Sequence, residues 1–133
     1  MPTFRLAVDY HRPLTNLDPS QVNVLSEALL LRNLYSALFD YDSKGNLITG
    51  LAKSFNWENG ALRIKLRTGA LISDGSPLTA IDVIHSLKRL MVLDENLHGD
   101  LKNIICPGIK MNSAHDHCPG IEQDGEDVVL RPA

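Results

Sequence analysis

The stretch Leu51–Met91, LAKSFNWENGALRIKLRTGALISDGSPLTAIDVIHSLKRLM, decides the fold. Asn59-Gly60 is the dipeptide that a two-residue type I′ turn demands, because both central residues need positive φ. With those two as the loop, Glu58 pairs with Ala61, Trp57 with Leu62, and Phe55 with Ile64. The large apolar residues then meet on one face, and Ser54, Asn56, Arg63, Lys65 and Arg67 take the other. After the hairpin, Ser73-Asp74-Gly75-Ser76-Pro77 reads as a turn that Asp closes with its side chain and Gly with φ > 0. Thr79 stands three residues before Asp82, the spacing of a capping box. The helix that follows gathers Ala80, Ile84, Leu87 and Met91 on one face, widened by Val83 and Leu90. Lys88 and Arg89 fall in its expected last turns, where positive charge suits the helix dipole.

Outward from this segment the signals are shorter. Thr3 to Tyr10 alternates as a strand, and His11 to Pro19 reads as a proline-interrupted loop. Ser26 to Phe39 has helical spacing, with Leu30, Leu34, Ala37 and Leu38 on one face. Asp42-Ser43-Lys44-Gly45-Asn46 is a hairpin-type turn between Phe39-Asp40-Tyr41 and Leu47-Ile48-Thr49. Val92 to Lys110 is mixed with a helical turn, Asn112 to Gly120 is a polar loop, and Asp127 to Arg131 is a terminal strand. The expectation is one domain over residues 1–133. Its class is α/β in an α+β mixture: a small mixed or antiparallel sheet, one strong hairpin and two principal helices.

The 133 residues are 44% hydrophobic and 22% charged, with a formal net charge of −3. That length supports a core burying roughly 70% of the unfolded surface. The charge offers no electrostatic case for nucleic acid or an anionic membrane. None of the apolar runs approaches the roughly 18 residues of a membrane-spanning helix. MPTFRLAVDY has no basic n-region, apolar h-region or small-residue cleavage site. That pattern suits either a cytosolic chain or a start downstream of a removed signal.

Several residue groups invite a chemical reading. Cys106 and Cys118 bracket a loop of about a dozen residues, and a bridge there adds about 3 kcal/mol in an oxidising compartment. Free thiols are the second reading. A metal site of Cys106, His115, His117 and Cys118 is the third, although the spacing fits no standard zinc pattern. Asp82, His85 and Ser86 lie within one helical turn of each other, but no strained elbow or oxyanion loop accompanies them. Capping and a solvated face account for them. Arg63, Lys65 and Arg67 form a basic strip without interleaved aromatics, which reads as a solvated face rather than a nucleic-acid surface.

Five segments in order resemble the family 5 extracellular solute-binding proteins, the peptide- and nickel-type binding components of ABC importers. Asn16-Leu17-Asp18-Pro19 and Asn33-Leu34-Tyr35-Ser36-Ala37-Leu38 resemble the family's opening. Leu51-Ala52-Lys53-Ser54-Phe55 is similar to its LAESW segment. Leu66-Arg67-Thr68-Gly69 followed by Ser73-Asp74-Gly75-Ser76-Pro77-Leu78-Thr79-Ala80-Ile81-Asp82-Val83 resembles its LR-x-G…SDGTPLTA-x-DV signature. Gly120-Ile121-Glu122 with Asp127-Val128-Val129-Leu130, closing on Pro132, resembles its later GI…D…V-x-L-x-x-P run. Three positions depart: Ile72 for an aromatic, Phe55 for Trp, and Gly50 where Pro precedes LA.

The resemblance implies the N-terminal portion of a two-lobed, non-catalytic binding protein: the first strand of lobe one and most of the small subdomain attached to it. It implies a periplasmic or extracellular location, lipid-anchored in some members, and calls for no cofactor. The partners implied are a peptide or similar small solute and, through the whole protein, an ABC permease in the membrane. Family residues just after the LDP motif approach the ligand, which carries over to Gln21, Val22, Asn23, Val24 and Leu25. The second lobe, and the Asp that often grips a peptide's amino group, lie outside these residues. Apolar surface meant for that lobe would favour a homo-dimer of the piece. Related modules also occur fused to helix-turn-helix regions, so the ligand-sensing part of an intracellular regulator is the alternative.

Overall fold

The computed structural model describes residues 16–22, 24–93 and 99–133. The expected strand at Thr3 to Tyr10 lies outside them. The chain groups into two compact units, Met1–Ser36 and Ala37–Ala133.

In the first unit, Asp18 starts a single 3₁₀ turn over Pro19–Gln21. Its carboxylate accepts from the Ser20 amide at 3.0 Å and the Ser20 hydroxyl at 2.8 Å. Proline at the first turn position sacrifices no needed donor. Helix α1 spans Leu25–Leu34 and ends at Tyr35, whose amide donates to the Leu31 carbonyl. It is shorter than the Ser26 to Phe39 helix expected from periodicity. Glu27 and Leu31, four residues apart, are its buried pair, while Leu34 is exposed. The expected face of Leu30, Leu34, Ala37 and Leu38 therefore does not form. The reason lies downstream: the Ala37 and Leu38 carbonyls accept from Leu51, Gly50 and Ala52, which holds them as extended backbone.

The second unit opens with the small antiparallel hairpin β1 (Phe39–Tyr41) and β2 (Leu47–Thr49). The Asp42 carboxylate closes its turn by accepting from the Lys44 and Asn46 amides. Gly45 supplies the left-handed position at φ 81. Strands β3 (Ala52–Glu58) and β4 (Ala61–Leu66) then pair in the register expected: Phe55 with Ile64, Trp57 with Leu62, Glu58 with Ala61. Asn59 and Gly60 take φ of 51 and 73, both positive as a type I′ turn requires. A bulge between Ala52 and Ser54 shifts the register at the far end.

Burial of that hairpin differs from expectation. Ile64 is 1% exposed, but Phe55 is 40% and Trp57 62% exposed. The four-stranded sheet runs β3-β4-β6-β5, with β5 Ile121–Asp124 and β6 Asp127–Leu130, so among the described residues β3 is an edge. Helix α2 (Ala80–Leu93) packs on β5 and β6 and leaves the tip of β3 uncovered. Phe55 instead meets the Phe39 ring edge-on, centroids 5.0 Å apart.

All the described strand pairings are antiparallel. β4 pairs with β6 so that Ile64 faces Val128, and these two join Ala52, Ala80 and Val83 in one buried cluster. A second cluster holds Met91, Ile105, Cys106, Met111, Cys118 and Ile121. Ile84, Leu87 and Leu130 touch both. α2 runs further than the sequence suggested, so Lys88 and Arg89 lie inside it and no basic residue occupies its last turn. Helix α3 (Gly99–Ile105) delivers Cys106 to Cys118, and the two are disulfide-bonded with Cα atoms 5.6 Å apart. Gly120 must be glycine, because a Cβ there would drive into the Ile105 carbonyl.

The expected cap of α2 forms with one atom doing both jobs. Asp82 Oδ2 accepts from the Thr79 amide at 2.8 Å and the Thr79 hydroxyl at 2.6 Å. Those two bonds hold the Asp82 carboxyl below its ordinary value of 3.8. A carboxyl depressed in the folded state contributes stability above its unfolded value and loses it as pH falls through the folded one. Asp82→Ala should thus cost about 1 kcal/mol at neutral pH. In urea melts the gap between variant and parent should shrink below pH 3.8. Reduction of Cys106–Cys118 should lower stability by about 3 kcal/mol, read from melts with and without reductant. Gly120→Ala should cost about 3 kcal/mol by overpacking, measured the same way.

Candidate functional site

The segment after Leu17-Asp18-Pro19 was expected to approach a ligand. Gln21 ends the 3₁₀ turn with an exposed side chain, its Oε1 accepting from Asn16 Nδ2 at 2.5 Å. Asn16 Oδ1 in turn accepts from the Asp18 amide at 2.8 Å. Val22 and Val24 are half-buried in extended backbone, and Leu25 opens α1 with 77% of its surface exposed. Asn23 lies outside the described residues. The segment therefore carries an exposed amide and, four residues on, an exposed aliphatic side chain, groups of the kinds that meet a backbone amide and a side chain of a small solute.

The second unit has a cavity of about 620 Å³ between β4 and the start of α2. Lys53, Lys65 and Arg67 line it together with Glu126 and Asp127, so two of its three cations have an acidic counterpart in the lining. The Arg67 guanidinium is committed, its Nε donating to the Gly50 carbonyl. None of the residues expected to approach a ligand lines this cavity.

The remaining sequence candidates separate. Arg63, the first of the basic strip, binds Glu58 at 2.6 Å, Asp124 at 2.6 Å and Asp127 at 3.0 Å. Its bond holds the Glu58 carboxyl below the usual range. One guanidinium among three carboxylates is not a basic surface. Asp82 is occupied by Thr79, and the His85 ring lies against His115 rather than with Asp82 and Ser86. Cys106 and Cys118 are spent on their bridge, which removes both thiolates from the four-residue metal set with His115 and His117. Among the described residues, no group of three or more His, Cys, Asp or Glu side chains is placed to hold a metal ion. No helix of the described residues is long and apolar enough to cross a membrane.

No protein-family model matches the chain. Individual relatives do. The periplasmic murein peptide-binding protein MppA of Escherichia coli K12 is 34% identical over 79 residues, 57% of this chain and 14% of its own length. The periplasmic oligopeptide-binding protein OppA of Salmonella typhimurium is 35% identical over 78 residues, 56% of this chain and 14% of its own. The HTH-type transcriptional regulator SgrR of Escherichia coli O1:K1 is 34% identical over 106 residues, 77% of this chain and 18% of its own. The unliganded open form of MppA superposes with a TM-score of 0.72 at 25% identity, over 89% of this chain and 24% of that one. The chain thus spans less than a quarter of the length of these relatives. Over that part, the chain is similar to these periplasmic peptide-binding proteins in both sequence and fold.

Proposed function

We propose that this chain is the N-terminal part of a non-catalytic solute-binding protein that takes up a peptide or similar small solute by closure of two lobes. The observation that carries this reading is the match to open MppA over nearly the whole chain. The solute would be handed to an ABC permease in the membrane, from a periplasmic or extracellular position, free or lipid-anchored. Gln21, Val22, Asn23, Val24 and Leu25 are the residues assigned to its pocket, Gln21 offering an amide and Leu25 apolar surface.

Closure explains why affinity should reside in the pair of lobes. A peptide held between two walls loses most of its hydrated surface, whereas one wall leaves half of it in water while the ordering cost stays. This chain alone should therefore bind mixed di- to pentapeptides with a Kd no tighter than about 1 mM, or −4 kcal/mol. Titration calorimetry checks it. Micromolar binding by these residues would defeat the two-lobe requirement.

A second reading, the ligand-sensing part of an intracellular regulator, is favoured by the SgrR match, which covers more of this chain than the MppA alignment does. The coding sequence upstream separates the two: a signal peptide supports the importer, and a helix-turn-helix region the regulator.

A further inference from the structure

The loop that follows the first bridge cysteine is fixed over α2 by several independent ties. The disulfide anchors both ends. Within the loop, Asp116 Oδ2 accepts from the Asn112 amide at 2.7 Å and the Ser113 amide at 3.0 Å. The Ser113 hydroxyl accepts from the His115 amide at 3.1 Å. From the helix, Lys88 Nζ donates to the Asp116 carbonyl at 2.9 Å. These bonds set the His115 ring against that of His85, one turn before Lys88 on the same helix. The ring centroids are 5.2 Å apart and the planes tilted by 48°. Both side chains are exposed, so solvent and ions reach the pair.

We propose that His85 and His115 form a two-imidazole site for a divalent first-row transition ion, which would tie the disulfide loop to α2. An imidazole nitrogen binds such an ion at about 2.0–2.1 Å, which puts each ring centre about 3.2 Å from it. Centroids 5.2 Å apart then subtend about 109° at the ion, the angle of tetrahedral coordination. Imidazole pairs select copper, zinc and nickel over the hard cations calcium and magnesium. Water would complete the coordination shell. The Asp116 carboxylate, close enough to feel the charge of both His115 and Lys88, offsets the nearby ammonium. The site uses neither bridge cysteine and none of the residues assigned to the solute pocket. It is thus distinct from a site of Cys106, His115, His117 and Cys118, whose two thiolates the bridge removes.

The test uses zinc chloride and copper chloride as probes on the oxidised chain. Calorimetry should show one saturable ion per chain, with a melting temperature that climbs with ion concentration and returns on addition of EDTA. Copper-loaded protein should show two coupled imidazole nitrogens by electron paramagnetic resonance, and one in either His85→Ala or His115→Ala. Each of those variants should bind at least tenfold more weakly while melting like the parent without metal. His117→Ala, and a double variant of His11 and His98, should bind as the parent does. Should either alanine variant fail to fold, His85→Gln and His115→Gln take its place. Absence of saturable binding, or affinity that survives loss of His85 or His115, or that follows His117, overturns the assignment.

Discussion

Ile64 opposite Val128 is the contact on which the rest of this structure depends. Two hairpins lie some sixty residues apart in the chain, and β4 against β6 is the pairing that makes them one sheet. Ile64 and Val128 are 1% and 0% exposed, so each contributes roughly 2 kcal/mol by leaving water. Ala52, Ala80 and Val83 close over them, which seats α2 by its first turn. With that end fixed, Ile84 and Leu87 carry the same helix face to the second cluster, and Met91 plugs it. The disulfide is itself part of that cluster and closes the loop between its two cysteines. Chain order explains the arrangement: a long-range pairing is entropically expensive, and every element between the hairpins shares in offsetting it.

What was legible in the sequence was what local chemistry dictates. The register of β3 with β4 follows from Asn59-Gly60, because only a turn with two positive φ values spans that loop. Thr79 and Asp82 likewise declare the start of α2 within four residues. β5 escaped notice because Ile-Glu-Gln-Asp offers a single apolar residue to alternate. Asp124-Gly125 did carry a turn signal, with Gly125 at φ 61 in the first loop position as a II′ turn prefers. The end of α1 was misplaced because Ala37 and Leu38 continue a helical period whose carbonyls are claimed by residues 50–52. There, tertiary hydrogen bonds outweigh a weak propensity.

The candidate sites were legible to different degrees for the same reason. Gln21 to Leu25 are marked only by resemblance: nothing in their spacing distinguishes a pocket wall from a helix start. The cysteine pair was legible, since two cysteines a dozen residues apart have few alternatives. His85 with His115 was not, since thirty residues and a disulfide loop separate them and neither has a partner at helical spacing.

The hairpin's outer end shows how the same rules limit one another. β3 turns Phe55 and Trp57 partly to water and, among the described residues, has one row of backbone groups without a strand beside it, the combination that invites association. Two features oppose this. The bulge between Ala52 and Ser54 breaks the flat geometry that an added strand would need. Beside the β3–β4 turn, the Glu58 carboxylate, paired with Arg63, is a charge that a strand laid along β3 would have to desolvate. Exposed ion pairs add little to stability, typically below about 1 kcal/mol. Their value here is the cost of burying them, which falls on any strand approaching from outside and not on the folded chain itself.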